Sequence, residues 1–321
     1  MILSQIENKD IFITGGAGFI GSTLTGLLLD KNRVTIFDNF SRDSMATQSF
    51  RNHKNLTVIK GDILDAEGLN RACVDRQLVI HCAAIAGIDT VIKSPINTMR
   101  TNLIGSANLL ESCSHLKNLE RAIFFSTSEV FGQNAFRSEE SHSTITGAVG
   151  EARWTYAISK LAEEHLAHAY AKEKQMPIVT VRPFNVYGPG QVGEGAIKIF
   201  IQKALKHETI EIHGDGSQIR AWCFIDDLVR GIGHALVKPE AIGETFNLGN
   251  SRAIVTIYGL ANTIVRVLNS QSKIVFANKD YADVELRIPS IAKAKKLLGF
   301  EAEVDLEDGI LKTAEYYRKF G

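Results

Sequence analysis

The chain has 321 residues, 45% of them hydrophobic and 22% charged, enough to bury a large core in one big domain or two smaller ones. Its 36 basic residues balance 36 acidic ones, which argues against long-range attraction to nucleic acid or an anionic membrane. There is no apolar run of membrane-spanning length, and Met1–Asp10 lacks the basic, apolar and small-residue order of a signal peptide, so a cytoplasmic protein is expected.

In chain order, β-branched strand candidates fall at Asp10–Thr14, Arg33–Asp38, Leu56–Lys60, Leu78–His81, Ala122–Ser126 and Ile178–Arg182. Helix-period stretches separate them. Ile20, Leu24, Leu27 and Leu28 are expected to share one face, and a further helix is expected from about Arg153 to Lys174. Strands alternating with helices predict right-handed βαβ units and a parallel sheet covered on both faces. The rhythm changes near Arg182: glycine and proline punctuate Arg182–Gly195, and short strand-like pieces follow, such as Ile210–His213. A last helix carries Leu306, Ile310, Ala314 and Tyr317 on one side. The expected division is a doubly wound α/β domain over residues 1–182, with later segments returning to it, and a smaller α+β ligand-binding domain mainly over 183–321. Asn134–Ala152 is expected to form a loop beside the site.

Cys73, Cys82, Cys113 and Cys223 are widely spaced and form no CxxC, so they are expected as free thiols. His165 and His168 lie three residues apart without a convincing third ligand, and no metal site is expected there.

The first strand runs into Thr14-Gly15-Gly16-Ala17-Gly18-Phe19-Ile20-Gly21, which sets Gly15, Gly18 and Gly21 at GxxGxxG spacing. Glycines there permit a tight turn, close approach of backbone to a pyrophosphate and close helix–strand packing. The helix beginning near Phe19 and Ile20 offers free N–H groups to phosphate. Asp38 ends the second strand, 17 residues beyond Gly21, where a carboxylate can bond ribose hydroxyls and repel a 2′-phosphate. This favours NAD over NADP, with Arg42 a nearby countervailing charge. Asp62 follows the third strand and is either an adenine contact or a helix cap.

Tyr156-Ala-Ile-Ser-Lys160 sets a phenol and an ammonium one helical turn apart. A tyrosine with the usual pKa of about 10 is a poor base at neutral pH, and a neighbouring cation stabilises its phenolate. Such a pair can take the proton of an alcohol whose carbon is being oxidised. Upstream, Ser126-Thr127-Ser128-Glu129 follows a strand, at the sheet edge where α/β proteins hold ligands.

Together these segments resemble the extended short-chain dehydrogenases/reductases that act as nucleotide-sugar epimerases, dehydratases and decarboxylases. The resemblance covers nearly the whole chain: TGGAGFIGS (Thr14–Ser22), Asp38, GDI (Gly61–Ile63), HCAA (His81–Ala84), STSEVFG (Ser126–Gly132), YxxxK and RPFNVYGP (Arg182–Pro189). It implies a Rossmann fold, bound NAD, a UDP-sugar as the expected substrate, a homodimer, and a transient 4-keto sugar. Thr127, Tyr156 and Lys160 would form the catalytic triad, with Ser128 and Glu129 beside it. Asn39, Ile63, Ala83 and Ala84 would join the dinucleotide contacts, and Asn185, Arg220 and Arg287 the nucleotide-sugar pocket.

Glu129 bears on the reaction. Sugar 4-epimerases of this family usually lack an acid there, 4,6-dehydratases use one at C5, and UDP-glucuronate decarboxylases carry one beside the carboxylate-bearing carbon. Arg-Trp-Thr-Tyr156, Ser128 and the run Ala282–Ile291 with Arg287 look most like the decarboxylase branch. Two departures are Gly190, where relatives often carry Arg, and Asp89, a carboxylate that would repel a uronate if it faced the site. UDP-glucuronate decarboxylase is therefore the specific expectation, with 4-epimerase and 4,6-dehydratase as alternatives. A dinucleotide-binding sensor would be expected to lose Tyr156 or Lys160, and an NADPH-dependent keto-sugar reductase is disfavoured by Asp38.

Overall fold

The computed structural model describes residues 2–193, 195–278 and 284–321. Seven parallel strands form the central sheet: β1 (Asp10–Thr14), β2 (Arg33–Asp38), β3 (Leu56–Lys60), β4 (Leu78–His81), β5 (Arg121–Phe125), β6 (Ile178–Pro183) and β7 (Thr245–Leu248). Their order across the sheet is β7-β6-β5-β4-β1-β2-β3. β1 pairs with β2 on one side and β4 on the other, so the chain reverses its direction of travel across the sheet between them. A crevice opens beyond the carboxyl ends of strands at such a switch point.

The strand residues are apolar on both faces because both faces are covered. Ile11 and Ile13 pack into one core with Leu24, Leu28 and Ile36. Phe12, between them, points the other way into a second core with Val79, Leu109 and Phe124. That period of two is what buried parallel strands require. On the helix Phe19–Leu28, Leu24 and Leu28 are buried, but Leu27 is 38% exposed, contrary to the shared face read from sequence. Successive residues turn by about 100°, so turning Leu24 and Leu28 inward leaves Leu27 at the margin.

A four-stranded sheet stands over the carboxyl edge, in the order Ile254–Thr256, Ile219–Ala221, Leu286–Pro289, Asn134–Ser138. The expected loop Asn134–Ala152 therefore begins with a strand, paired in parallel with Leu286–Pro289. Only Ala135 and Ser138 of that strand are buried, so its sequence carries no apolar alternation to announce it. The chain thus crosses to the smaller sheet early, at Asn134, and returns to the large sheet late, at β7. Among the described residues, no helix is long and apolar enough to cross a membrane.

Candidate active site

A cleft of about 430 Å³ lies at the switch point. The glycine loop forms its floor. Gly15 has φ +68°, and a Cβ on it would lie 2.5 Å from the backbone nitrogen of Ala83 at the end of β4, so only glycine fits. A Cβ on Gly21 would fall 2.2 Å from the Gly15 carbonyl oxygen, which shows how tightly the helix is pressed on the turn. A Cβ on Gly18 meets only that same oxygen, at 3.3 Å, leaving backbone open toward the cleft. Phe19 and Ile20 line the cleft as the helix begins.

Asp38 is buried at the rim of the loop. One carboxylate oxygen accepts from Ala17 N at 2.9 Å and the other from Phe40 N at 2.7 Å, so it fixes the turn as well as facing the cleft. Burial pushes its carboxyl above the usual range, against the pull of these donors. Asn39, Asp62, Ile63, Ala83 and Ala84 line the same half of the cleft. Asp62 accepts from Leu64 N at 2.9 Å, a turn contact, while the cap of the next helix is Asp65, which accepts from Gly68 N at 3.0 Å. The Arg42 guanidinium is tied to the Ala86 carbonyl at 2.8 Å.

The other half of the cleft is built on the ends of β5 and β6. Beyond β5, Thr127 Oγ1 accepts from Glu129 N at 3.2 Å and caps the short 3-10 turn Ser128–Phe131. Tyr156 stands at the second position of the helix Thr155–Glu173. That first turn is pinned by Asn102, in the π turn Arg100–Ile104: it donates to Ser159 Oγ at 3.0 Å and to the Ile85 carbonyl at 3.1 Å. Ser159 in turn donates to the Tyr156 carbonyl at 2.8 Å. Burial pushes the Tyr156 phenol up, Glu129 adds to this, and a hydrogen bond with Thr127 works against it. Lys160 is buried and pairs with Glu163, Nζ to Oε2 at 2.5 Å. Lys160 lines the cleft with Tyr156, and its charge is shared with a carboxylate not singled out from sequence.

Glu129 lies between two arginines: Arg153 Nη1 is 2.7 Å from Oε2, and Arg287 Nη1 is 3.4 Å from Oε1. Burial opposes its ionisation, but Arg287 and then Arg153 outweigh burial and hold the carboxyl below its usual range. Ser128 and Arg287 also line the cleft, as does Asn185. Asn185, at φ +39°, donates its side-chain amide to the Ala221 carbonyl at 2.9 Å. Arg220 is buried beside Arg287, its register partner across the small sheet, and donates to the Val284 carbonyl; it is not among the residues lining the cleft. Asp89 is exposed in the first turn of Ile88–Lys93 and is not among the residues lining the cleft either. Ala282 and Asp283 lie outside the described residues. Gly190 has φ +78°, a conformation in which the arginine of relatives would be strained.

Asn102, Glu163 and the partnership of Arg153 with Glu129 support the candidate site and were not singled out from sequence. Glu163 had a legible signal, the i, i+3 spacing from Lys160. The Arg153–Glu129 contact spans 24 residues and had none.

A glycine turn at the switch point, an acid at the end of the second strand, and a tyrosine–lysine helix beside a hydroxyl-bearing loop define a dinucleotide-dependent enzyme that acts on an alcohol carbon. The sequence model of the NAD dependent epimerase/dehydratase family matches residues 11–249. The chain is 33% identical to a UDP-N-acetyl-alpha-D-glucosaminuronate decarboxylase of Bacillus cytotoxicus, across 97% of this chain and 98% of that one. It is 32% identical to UDP-glucuronic acid decarboxylase 1 of Xenopus tropicalis, across 99% of this chain and 74% of that protein. The UDP-glucuronic acid 4-epimerase of Bacillus cereus, solved with UDP-glucuronic acid and NAD, superposes with a TM-score of 0.88 at 31% identity, covering 97% of this chain and 100% of that one. The chain therefore belongs to the NAD dependent epimerase/dehydratase family, and it is an NAD-using enzyme of the nucleotide-sugar decarboxylase, epimerase and dehydratase kind.

Proposed function

We propose that this enzyme decarboxylates a UDP-linked uronate through a 4-keto sugar, with UDP-glucuronate or its 2-acetamido counterpart as substrate. The observation that carries this reading is the Arg153–Glu129–Arg287 cluster, of which Glu129 and Arg287 line the cleft. A guanidinium lining the cleft suits a substrate carboxylate far better than a neutral hydroxymethyl group.

The glycine loop from Gly15 to Gly21 would hold the NAD pyrophosphate, with Asp38 and Asn39 on the adenosine ribose, Asp62 and Ile63 at the adenine, and Ala83 and Ala84 along the dinucleotide. The second lone pair on each Asp38 oxygen remains available to ribose hydroxyls, and its charge disfavours a 2′-phosphate. When bound, NAD takes up the hydrogen and electron pair released from C4 and returns them at the end of the cycle. Thr127 and Tyr156 would hold the O4 hydroxyl, and Tyr156 takes its proton as C4 becomes a carbonyl. The C6 carboxylate is then β to a ketone. Its bond to C5 breaks, the electron pair passes into the enolate, and carbon dioxide leaves. A proton taken up from water at C5 restores the ketone, and Tyr156 returns its proton to O4 as C4 is reduced. Asn185 and Arg287 are proposed as nucleotide-sugar contacts, and Arg220, which does not line the cleft, is proposed only as the neighbour of Arg287 in the small sheet.

The test is to supply NAD-loaded enzyme with UDP-glucuronate and, separately, UDP-N-acetylglucosaminuronate, following carbon dioxide and the sugar product by NMR. Release of carbon dioxide with a pentose product supports the reading. An epimerised sugar with its carboxylate intact would overturn it in favour of a uronate 4-epimerase, the second reading, which the likeness to the Bacillus cereus enzyme favours.

A further inference from the structure

A buried line of polar groups runs from the tyrosine-bearing helix back to β1. Lys160 and Glu163 lie one turn apart on the helix Thr155–Glu173, both 1% exposed, and pair at 2.5 Å. Ser106, on the helix Gly105–Ser114, donates to the Asn102 carbonyl at 2.5 Å and stands 2.8 Å from His81 Nε2, while Asn102 bonds Ser159 on the tyrosine-bearing helix. The other ring nitrogen of His81 faces Thr14 Oγ1 at 2.6 Å.

Few of these groups carry charge. Burial, and then the Lys160 charge, hold His81 far below its usual range and so neutral, and burial keeps Cys82, next along from β4, as a thiol. Glu164 is committed to Arg182 at 2.8 Å on the far side of the helix. Across the cleft, Glu129 is held by Arg153 and Arg287. Burial raises the Glu163 carboxyl and Lys160 works against it, and Glu163 in turn adds to the burial that raises the Tyr156 phenol, so the Lys160–Glu163 pair is the ionisable couple behind Tyr156.

We infer that Glu163 is a positioning residue whose carboxylate offsets the charge of Lys160, so that Tyr156 holds its proton more tightly than it would beside an unpaired lysine. A nearby cation favours phenolate, and an anion in contact with that cation cancels much of its field in a dry site. Tyr156 must take a proton and return it within one turnover, and a phenol made too acidic by a lone ammonium is a weaker base for the first step. The salt link also fixes the lysine rotamer, since the ammonium has a partner one turn along the same helix.

The test is a near-ultraviolet titration of tyrosinate in the NAD-loaded protein, with the matching Tyr156→Phe protein subtracted in each background to isolate Tyr156. Glu163→Gln and Glu163→Met, both neutral, are expected to move its ionisation to lower pH by on the order of one unit. Glu163→Asp keeps the charge and is expected to titrate as the wild type does. A Tyr156 titration that stays in place, or moves upward, in a folded neutral variant with full NAD content would overturn the inference. Should neither neutral variant fold, infrared difference spectra of wild type against Glu163→Asp decide the matter. An ionised carboxylate at Glu163 supports the pairing, and a protonated carboxyl overturns it. No sugar is needed for either readout, so failure here is separable from failure of the uronate reading.

Discussion

The two glycines that flank the start of the first helix make opposite predictions under the same substitution. In Gly21→Ala the new methyl would sit 2.2 Å from the Gly15 carbonyl oxygen and 2.8 Å from the Gly16 Cα, both backbone atoms of the turn. That is over 1 Å inside ordinary contact, and the turn cannot yield by changing a rotamer. Alanine is favoured over glycine within a helix by about 1 kcal/mol, while overpacking costs about 1–3 kcal/mol, so a net loss of about 0–2 kcal/mol is expected. The displaced turn is also the one proposed to hold the pyrophosphate, so NAD affinity should fall with stability. In Gly18→Ala the methyl meets only one oxygen, at 3.3 Å, and stability should change by less than about 1 kcal/mol. Its NAD affinity should nevertheless fall at least about tenfold, or 1.4 kcal/mol, because the methyl occupies the side from which the dinucleotide approaches. Chemical denaturation of the two variants, with calorimetric titration of NAD, separates the cases. A Gly21→Ala protein as stable and as avid for NAD as the wild type would refute the packing argument. A Gly18→Ala protein with undiminished affinity would refute the assignment of that face to the cofactor.

Tyr156→Phe should retain its fold and NAD but lose about 10²–10⁴ in turnover, measured by product NMR, since the proton acceptor is gone. Glu129→Gln should keep NAD bound, as judged by cofactor release on denaturation, while carbon dioxide release falls by a comparable factor. The Glu164–Arg182 pair is almost fully buried, and the guanidinium holds the carboxyl below its usual range despite burial. A folded-state value below the unfolded one stabilises the protein above the usual carboxylate pKa, and that contribution is lost as pH falls through the folded value. Glu164→Gln should therefore lose about 3–5 kcal/mol at neutral pH, with the gap to wild type closing on acidification. Equal melting temperatures at pH 7 would count against it. Asn102→Ala should lower turnover more than stability, because it frees the first turn under Tyr156 from Ile85; kinetics and melting on the same sample test this.

Local chemistry determined a good deal of this protein from sequence alone. The strands of the first half, the glycine turn and Asp38 were legible because each depends on neighbours within about 20 residues: a period, a turn requirement, a strand end. Tyr156 and Lys160 were legible for the same reason, being one turn apart on one helix. Strand Asn134–Ser138 was not, since it is held by pairing with Leu286–Pro289 rather than by apolar alternation of its own. The charge around the reacting groups was not legible either. Only the folded chain brings Arg153 and Arg287 onto Glu129, the latter from 158 residues away, and buries Arg220 against the Val284 carbonyl. Periodicity reports which face of an element is buried. Which charges meet in a cleft depends on how distant elements are packed against one another, and only the tertiary structure could decide that.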